Sequence, residues 1–224
     1  NPPIYSIREQ PGMTLDSTLG AEKNVLEETP EHAELLRLHR PVLRNAEFEA
    51  IRRIDRPGFK AETLSTLYPV AGGGPGLRKA IGELCQAASQ AIAAGANILV
   101  LSDRGVTSEL APIPALLATG AVHHHLIRES SRTRCGLVVE TGEAREVAHF
   151  ALLIGYGAGG INPYLAFETV RGLVDEAAYV PADLDPAIAE ENYLKANDLG
   201  PVPYKHLTPP TIWSGEVGGG CGRA

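Results

Sequence analysis

The chain has 224 residues, 44% of them hydrophobic, which is enough for one domain with a real core plus extensions. Its formal net charge of −7 argues against a nucleic-acid partner, which needs a basic footprint. No apolar run approaches the ~20 residues of a membrane span, no basic amphipathic helix is offered to an anionic surface, and no signal-peptide pattern opens the chain.

Residues 1 to about 28 read as an extended, irregular arm. Pro2-Pro3 keeps the start out of helix, and Pro11-Gly12 signals a turn. The chain begins on Asn1 and its single methionine is Met13, so we expect a piece of a longer protein. Thr29-Pro30 reads as a helix start, with Thr29 as N-cap, running to about Leu38. Arg40 to Leu43 is a short extended link. Asn45 is the expected cap of a second helix, roughly Ala46 to Ile54, where Phe48, Ile51 and Ile54 recur at helical spacing.

Between Glu62 and Ala177 a unit of strand, polar tip and helix repeats four times. The first strand, through Leu64, Thr66 and Tyr68, runs to about Val70. Ala71 to Gly76 turns into a helix from about Leu77 to Ala94, ended by Gly95. The second strand, Ile98 to Leu101, stops on Ser102-Asp103-Arg104-Gly105. Pro112 and Pro114 open a helix to about Ser130. The third strand, Gly136 to Glu140, feeds a helix from Glu143 to about Tyr156. A short fourth strand at Ile161 leads, through Pro163, to a helix reaching Ala177. Pro186 to Asn197 can form one more.

The expected fold is therefore α/β: a partial (β/α) barrel-like domain of about four parallel βα units, preceded by the arm and two helices. Half of an eightfold barrel and an open flavodoxin-like sheet both fit the pattern, while the long arm cannot supply the units for a complete barrel. The divisions we expect are residues 1–60 for the arm and its helices, 61–197 for the body, and 198–224 for a Gly- and Pro-rich tail with no role in the fold.

In α/β folds, sites are built at the C-terminal ends of the strands. Asp103 is a candidate acid, metal ligand or partner for Arg104, against the plainer reading of a salt-bridged loop capping the sheet. Glu140 ends the next strand, so the two carboxylates can meet at one rim as an acid/base pair or as a polar ring that satisfies an inter-domain contact. Glu143 suits a helix N-terminus. Arg145 can pair with Glu140, with Asp103 or with a carboxylate on another domain. His149 lies on the same helix and is expected to face a neighbouring element. Asn162 and Pro163 form a helix start, and Tyr164 can contribute to an interface.

His123, His124 and His125 tempt a metal reading, but consecutive helical residues point ~100° apart and cannot converge on one ion. Packing, a carboxylate partner and surface are their expected roles. Ala71 to Gly76 lacks the Gly-Lys-Ser/Thr ending of a Walker loop and the spacing of a dinucleotide fingerprint, so it reads as a βα turn. Cys85, Cys135 and Cys221 are far apart, too few for an iron–sulfur site built from this chain alone, and fit a reducing, cytoplasmic compartment.

At these residues the chain resembles a known family. Asn1-Pro-Pro-Ile4, Ile7-Arg8-Glu9, Leu26 to Pro30, Leu101 to Arg104, Pro112 to Leu116, His123 to Ile127, Val138 to Glu140, Glu143 to Arg145, His149-Phe150, Gly155 to Gly157 and Asn162 to Leu165 resemble, in order, the central domain of the glutamate synthase large subunit. The resemblance implies a parent that makes two glutamates from glutamine and 2-oxoglutarate. In it, an N-terminal amidotransferase domain releases ammonia, which crosses an internal tunnel to an FMN-binding barrel served by an iron–sulfur cluster. The central domain would join those two domains, line part of the passage for ammonia in transit, and carry no catalytic residue, cofactor or metal of its own. Tyr5 stands where the family usually carries an acid, and Ala148 where it usually carries a second histidine. The rival reading is an autonomous, metal-dependent lyase or hydrolase using Asp103, Glu140 and one of the histidines.

Overall fold

The computed structural model describes residues 15–198, apart from 25, 28, 177–180 and 182–183. Expectations about the first fourteen residues, and about the tail beyond Asp198, lie outside the described residues. The centre is a parallel sheet of four strands: β3 (Ala61–Ser65), β5 (Ile98–Ser102), β7 (Gly136–Glu140) and β8 (Gly160–Asn162). They lie side by side in chain order. That progression is the order of half a (β/α)₈ barrel; a doubly wound sheet reverses direction at a switch point.

The helices after these strands are α2 (Gly73–Ala93), α3 (Ala115–Arg128), α4 (Val147–Gly155) and α5 (Tyr164–Asp175), followed by α6 (Pro186–Asp198). β5 and β7 are buried along their whole length, which is why both read as unbroken apolar runs. Leu99 and Leu101 of β5, with Leu137 of β7, pack under α2 and α3 against Leu84, Ala88 and Val122. Val139 and Ile161 meet Phe150 of α4, Phe167 of α5 and Leu194 of α6.

The alternate residues Ile98, Val100 and Val138 face the other way, and the arm covers them. The arm contributes β1 (Ser17–Leu19), antiparallel to β2 (Leu36–Leu38), and α1 (Asn45–Arg52), which buries Phe48 and Ile51. Glycine makes the close approach possible. A Cβ on Gly136 would lie 3.0 Å from the Gly20 amide nitrogen, and one on Gly159 would lie 2.6 Å from Leu19 Cδ2. Ser17 Oγ donates to the Gly159 carbonyl at 3.0 Å. The arm also closes the β8 edge, through Leu43 N to Ile161 O and Ile161 N to Pro41 O, each 2.7 Å. An open edge there would otherwise invite another chain.

Several expected elements differ. The helix expected from Thr29 is one 3₁₀ turn, Pro30–Ala33, and the chain then extends as β2. Thr29 makes no side-chain cap; its hydroxyl meets His32 Nδ1 at 3.3 Å. Leu36 and Leu38 sit at period two beneath the sheet, and tertiary burial overrides local propensity. Asn45 is the first residue of α1, where Arg44 caps. The long first strand breaks at Thr66: β3 joins the sheet, and β4 (Leu67–Pro69) pairs antiparallel with β6 (Leu110–Pro112). Thr66 marks the switch by donating N–H and Oγ1 to Ser102 O, at 2.9 and 3.1 Å. The glycine-rich turn is already helix, since α2 starts at Gly73.

Candidate functional site

The parallel register sets Ser65, Ser102, Glu140 and Asn162 in one row across the C-terminal edge of the sheet. Ser102 Oγ donates to Glu140 Oε2 at 2.5 Å, and Arg104 Nε donates to the other carboxylate oxygen. Glu140 is 2% exposed, a buried charge that demands such partners. Arg104 lies over the Tyr164 ring at 3.9 Å and stands 3.6 Å from Glu168. Burial opposes the guanidinium's charge, but the hydrogen bond and charge of Glu140 prevail and raise its pKa.

Asp103 is 4% exposed. It accepts from Thr141 Oγ1 at 2.6 Å and from the Gly142 N–H at 3.0 Å. Burial, then the charge of Asp103 and a hydrogen bond to it, push the Tyr164 phenol well above the usual tyrosine range, so it stays protonated. Thr141 Oγ1 in turn accepts from Glu143 N at 3.0 Å. Glu143 does not start its own helix, because α4 begins at Val147. Its carboxylate accepts from Ala115 N at 2.8 Å and so satisfies the first turn of α3, where Pro114 cannot.

The space bounded by Thr66, Asp103, Ala118 and Glu140 leaves no room for a water molecule. The polar contacts of Asp103 and Glu140 hold a loop, a strand end and the first residue of α5. The rim is therefore a set of mutually satisfied charges over a packed core.

The other expected residues lie elsewhere. His123 Nδ1 accepts from Arg132 Nε at 2.9 Å, while Arg132 also donates to the carbonyls of Cys135 and Gly157. His125 Nε2 meets Ser89 Oγ of α2 at 2.9 Å. His124 is exposed and stacks edge-on to His123. His149 Nδ1 accepts from Arg145 N at 3.3 Å, and its Nε2 lies 3.4 Å from Glu146. The Arg145 carbonyl takes the Tyr193 hydroxyl at 3.0 Å, and Glu140 pairs with Arg104 in its place. Asn162 ends β8 instead of capping a helix; Pro163 occupies the cap position. Its Nδ2 donates to Leu43 O and Asn45 Oδ1, tying the arm to the rim. Ser102, Thr141 and Glu168 complete the rim and escaped sequence reasoning. Only the strand-end position of Ser102 and the one-turn spacing of Glu168 from Tyr164 hinted at them.

His123 gives a pH prediction. Burial, then Arg132, lowers its pKa from the ordinary 6.5. The unfolded chain therefore takes up a proton that the folded chain refuses, and the contribution present above about pH 6.5 is lost as pH falls. Between about pH 7.5 and 5.5, urea denaturation should show a larger loss of stability for the wild type than for His123→Gln.

Among the described residues no three His, Cys, Asp or Glu side chains are grouped to hold a metal ion. Cys85 and Cys135 are buried free thiols in the α2–α3 core, and burial raises the pKa of both. Protonated and packed, they do not fit an iron–sulfur cluster. Nor does the Gly73–Gly76 stretch fit a phosphate-bearing flavin, since it is the first turn of α2 without a basic or hydroxyl side chain. No helix among the described residues is long and apolar enough to cross a membrane.

The glutamate synthase central domain family matches residues 1–202. The glutamate synthase [NADPH] large chain of Bacillus subtilis is 42% identical over 176 residues, covering 79% of this chain and 11% of that protein. The Azospirillum brasilense glutamate synthase [NADPH] large chain is 39% identical over 220 residues, covering 98% of this chain and 14% of that protein. The chloroplastic ferredoxin-dependent glutamate synthase of Spinacia oleracea is 43% identical over 176 residues, covering 76% and 11%. The chain thus spans roughly a tenth of the length of the curated relatives it matches. A sheet wound in half-barrel order, a rim spent on its own loops and a match through residue 202 agree: this chain belongs to the glutamate synthase central domain family.

Proposed function

We propose that this chain is the bridging domain of a glutamate synthase, joining an amidotransferase domain to an FMN-binding domain. The whole protein would convert glutamine and 2-oxoglutarate to two glutamates, with FMN and an iron–sulfur cluster held outside these residues. The bridge would hold the two centres in register and help line the path of ammonia between them. Residues 15–60 would serve as inner cover and residues 61–197 would form the body. Its place is the cytoplasm, in keeping with free thiols at Cys85 and Cys135.

One observation carries this reading: Asp103 and Glu140 spend their carboxylates on Thr141, Gly142, Ser102 and Arg104. A general acid or base must reach a substrate proton, and the space these two bound leaves no room even for a water molecule. Neutral ammonia would pass such a paired rim without meeting an unpaired charge. The experiment is Arg104→Gln with Glu140→Gln in the complete large chain. Glutaminase activity and glutamate formation from added ammonia should each stay within about threefold, while glutamate formed per glutamine hydrolysed falls. Loss of either half-reaction in a protein that still melts cooperatively would contradict the reading.

A further inference from the structure

On the outer side of the helical layer, α2 and α3 leave an open groove of about 950 Å³ between them. Both helices return alongside parallel strands, so they run side by side in the same direction. Ser89 bonds to His125 and Glu129, which sets the level of one helix against the other. By that offset Arg78 stands level with the start of α3, and Arg128 with the end of α2. The groove is thus roughly 20 Å long at ~1.5 Å per residue, the length of three to four helical turns.

The floor is apolar. Ile81 and Cys85 of α2 recur at helical spacing, and Leu117 and Ala121 of α3 answer them. Leu117 is 44% exposed, and Tyr156, which closes one side, is 45% exposed. Gly82 interrupts α2 at the groove, although glycine costs a helix interior about 1 kcal/mol relative to alanine. A Cβ there would meet nothing within 4 Å, so the space above it is open. At the two ends Arg78 and Arg128 have no carboxylate partner among the described residues. Unpartnered guanidiniums flanking an apolar seam, on a chain of net charge −7, select an occupant with carboxylates.

We propose that this groove seats an amphipathic helix of the same polypeptide, from a segment outside these 224 residues, apolar on one face and carrying carboxylates that reach Arg78 and Arg128. This rests on the reading of the chain as one domain of a much longer one. A second copy is a poor occupant, because a two-fold contact of the groove with itself sets arginines against arginines. A small anion would engage one end and leave the apolar length uncovered.

Two measurements test it. In the complete large chain carrying Arg78→Lys, zero-length carbodiimide coupling should join position 78 to an Asp or Glu outside residues 1–224 of the same molecule. With Gly82→Cys, maleimide labelling mapped by mass spectrometry should be at least tenfold slower in the complete chain than in the 224-residue chain. Equal labelling in both, or a cross-link only to a second copy, overturns the proposal. Equal labelling together with intact uncoupling by the Arg104/Glu140 substitutions removes the groove and leaves the bridge. Protection of Gly82→Cys without any uncoupling does the reverse.

Discussion

Asp103→Ala should lower the unfolding free energy by about 3 kcal/mol, because its carboxylate holds the loop after the third sheet strand. The carboxylate is 4% exposed and accepts from Thr141 Oγ1 at 2.6 Å and Gly142 N at 3.0 Å. Truncation leaves that hydroxyl and that amide without their acceptor, and hydrogen bonds to charged groups contribute about 1.5–3 kcal/mol each. Removing the buried charge offsets part of the loss. The loop that carries Glu143 onto Ala115 N hangs on the same threonine, so the start of α3 loosens too. Asp103→Asn keeps the shape and one acceptor, and should lose about half as much. Urea denaturation of the two variants beside the wild type checks this; equal stability of all three would show that the rim carries no structural load.

Leu19→Ala should cost a similar amount, about 3 kcal/mol, within the range for deleting a fully buried leucine. Leu19 is 0% exposed and seats β1 against Gly136 and Gly159. Gly159→Ala should also destabilise, because its new Cβ would fall 2.6 Å from Leu19 Cδ2. In the Leu19→Ala background that clash is gone, so the second substitution should cost less. A cycle of the four proteins reads the coupling directly; additivity within about 0.5 kcal/mol would mean the arm does not dock this way.

The parts legible in the sequence were those governed by local pattern. β5 and β7 are five-residue apolar runs ending on polar residues, and burial on both faces demands that composition. The divergence of His123, His124 and His125 followed from helical geometry alone. The misses trace to contacts between distant segments. β1 and β2 are three residues each, too short to display a period, and exist because Gly136 and Gly159 leave room above them. Nothing in the alternation through Thr66 marks a break, since β5 takes one half of that run and β6 the other. Strand-end position in the sequence locates the polar rim but not its pairing. Arg104 reaches Glu140 because Ser102 and Glu140 stand in register, a fact of sheet alignment that spacing along one chain does not encode.

The central claim is that these residues hold reaction centres apart and together without performing a reaction. Its most direct measurement is turnover by the purified 224-residue chain, supplied with glutamine, with 2-oxoglutarate plus ammonia and a reductant, and with added FMN. The account predicts glutamine hydrolysis and glutamate formation at the buffer rate and no retained flavin. Sustained glutamate or ammonia production that disappears in Asp103→Asn would contradict it.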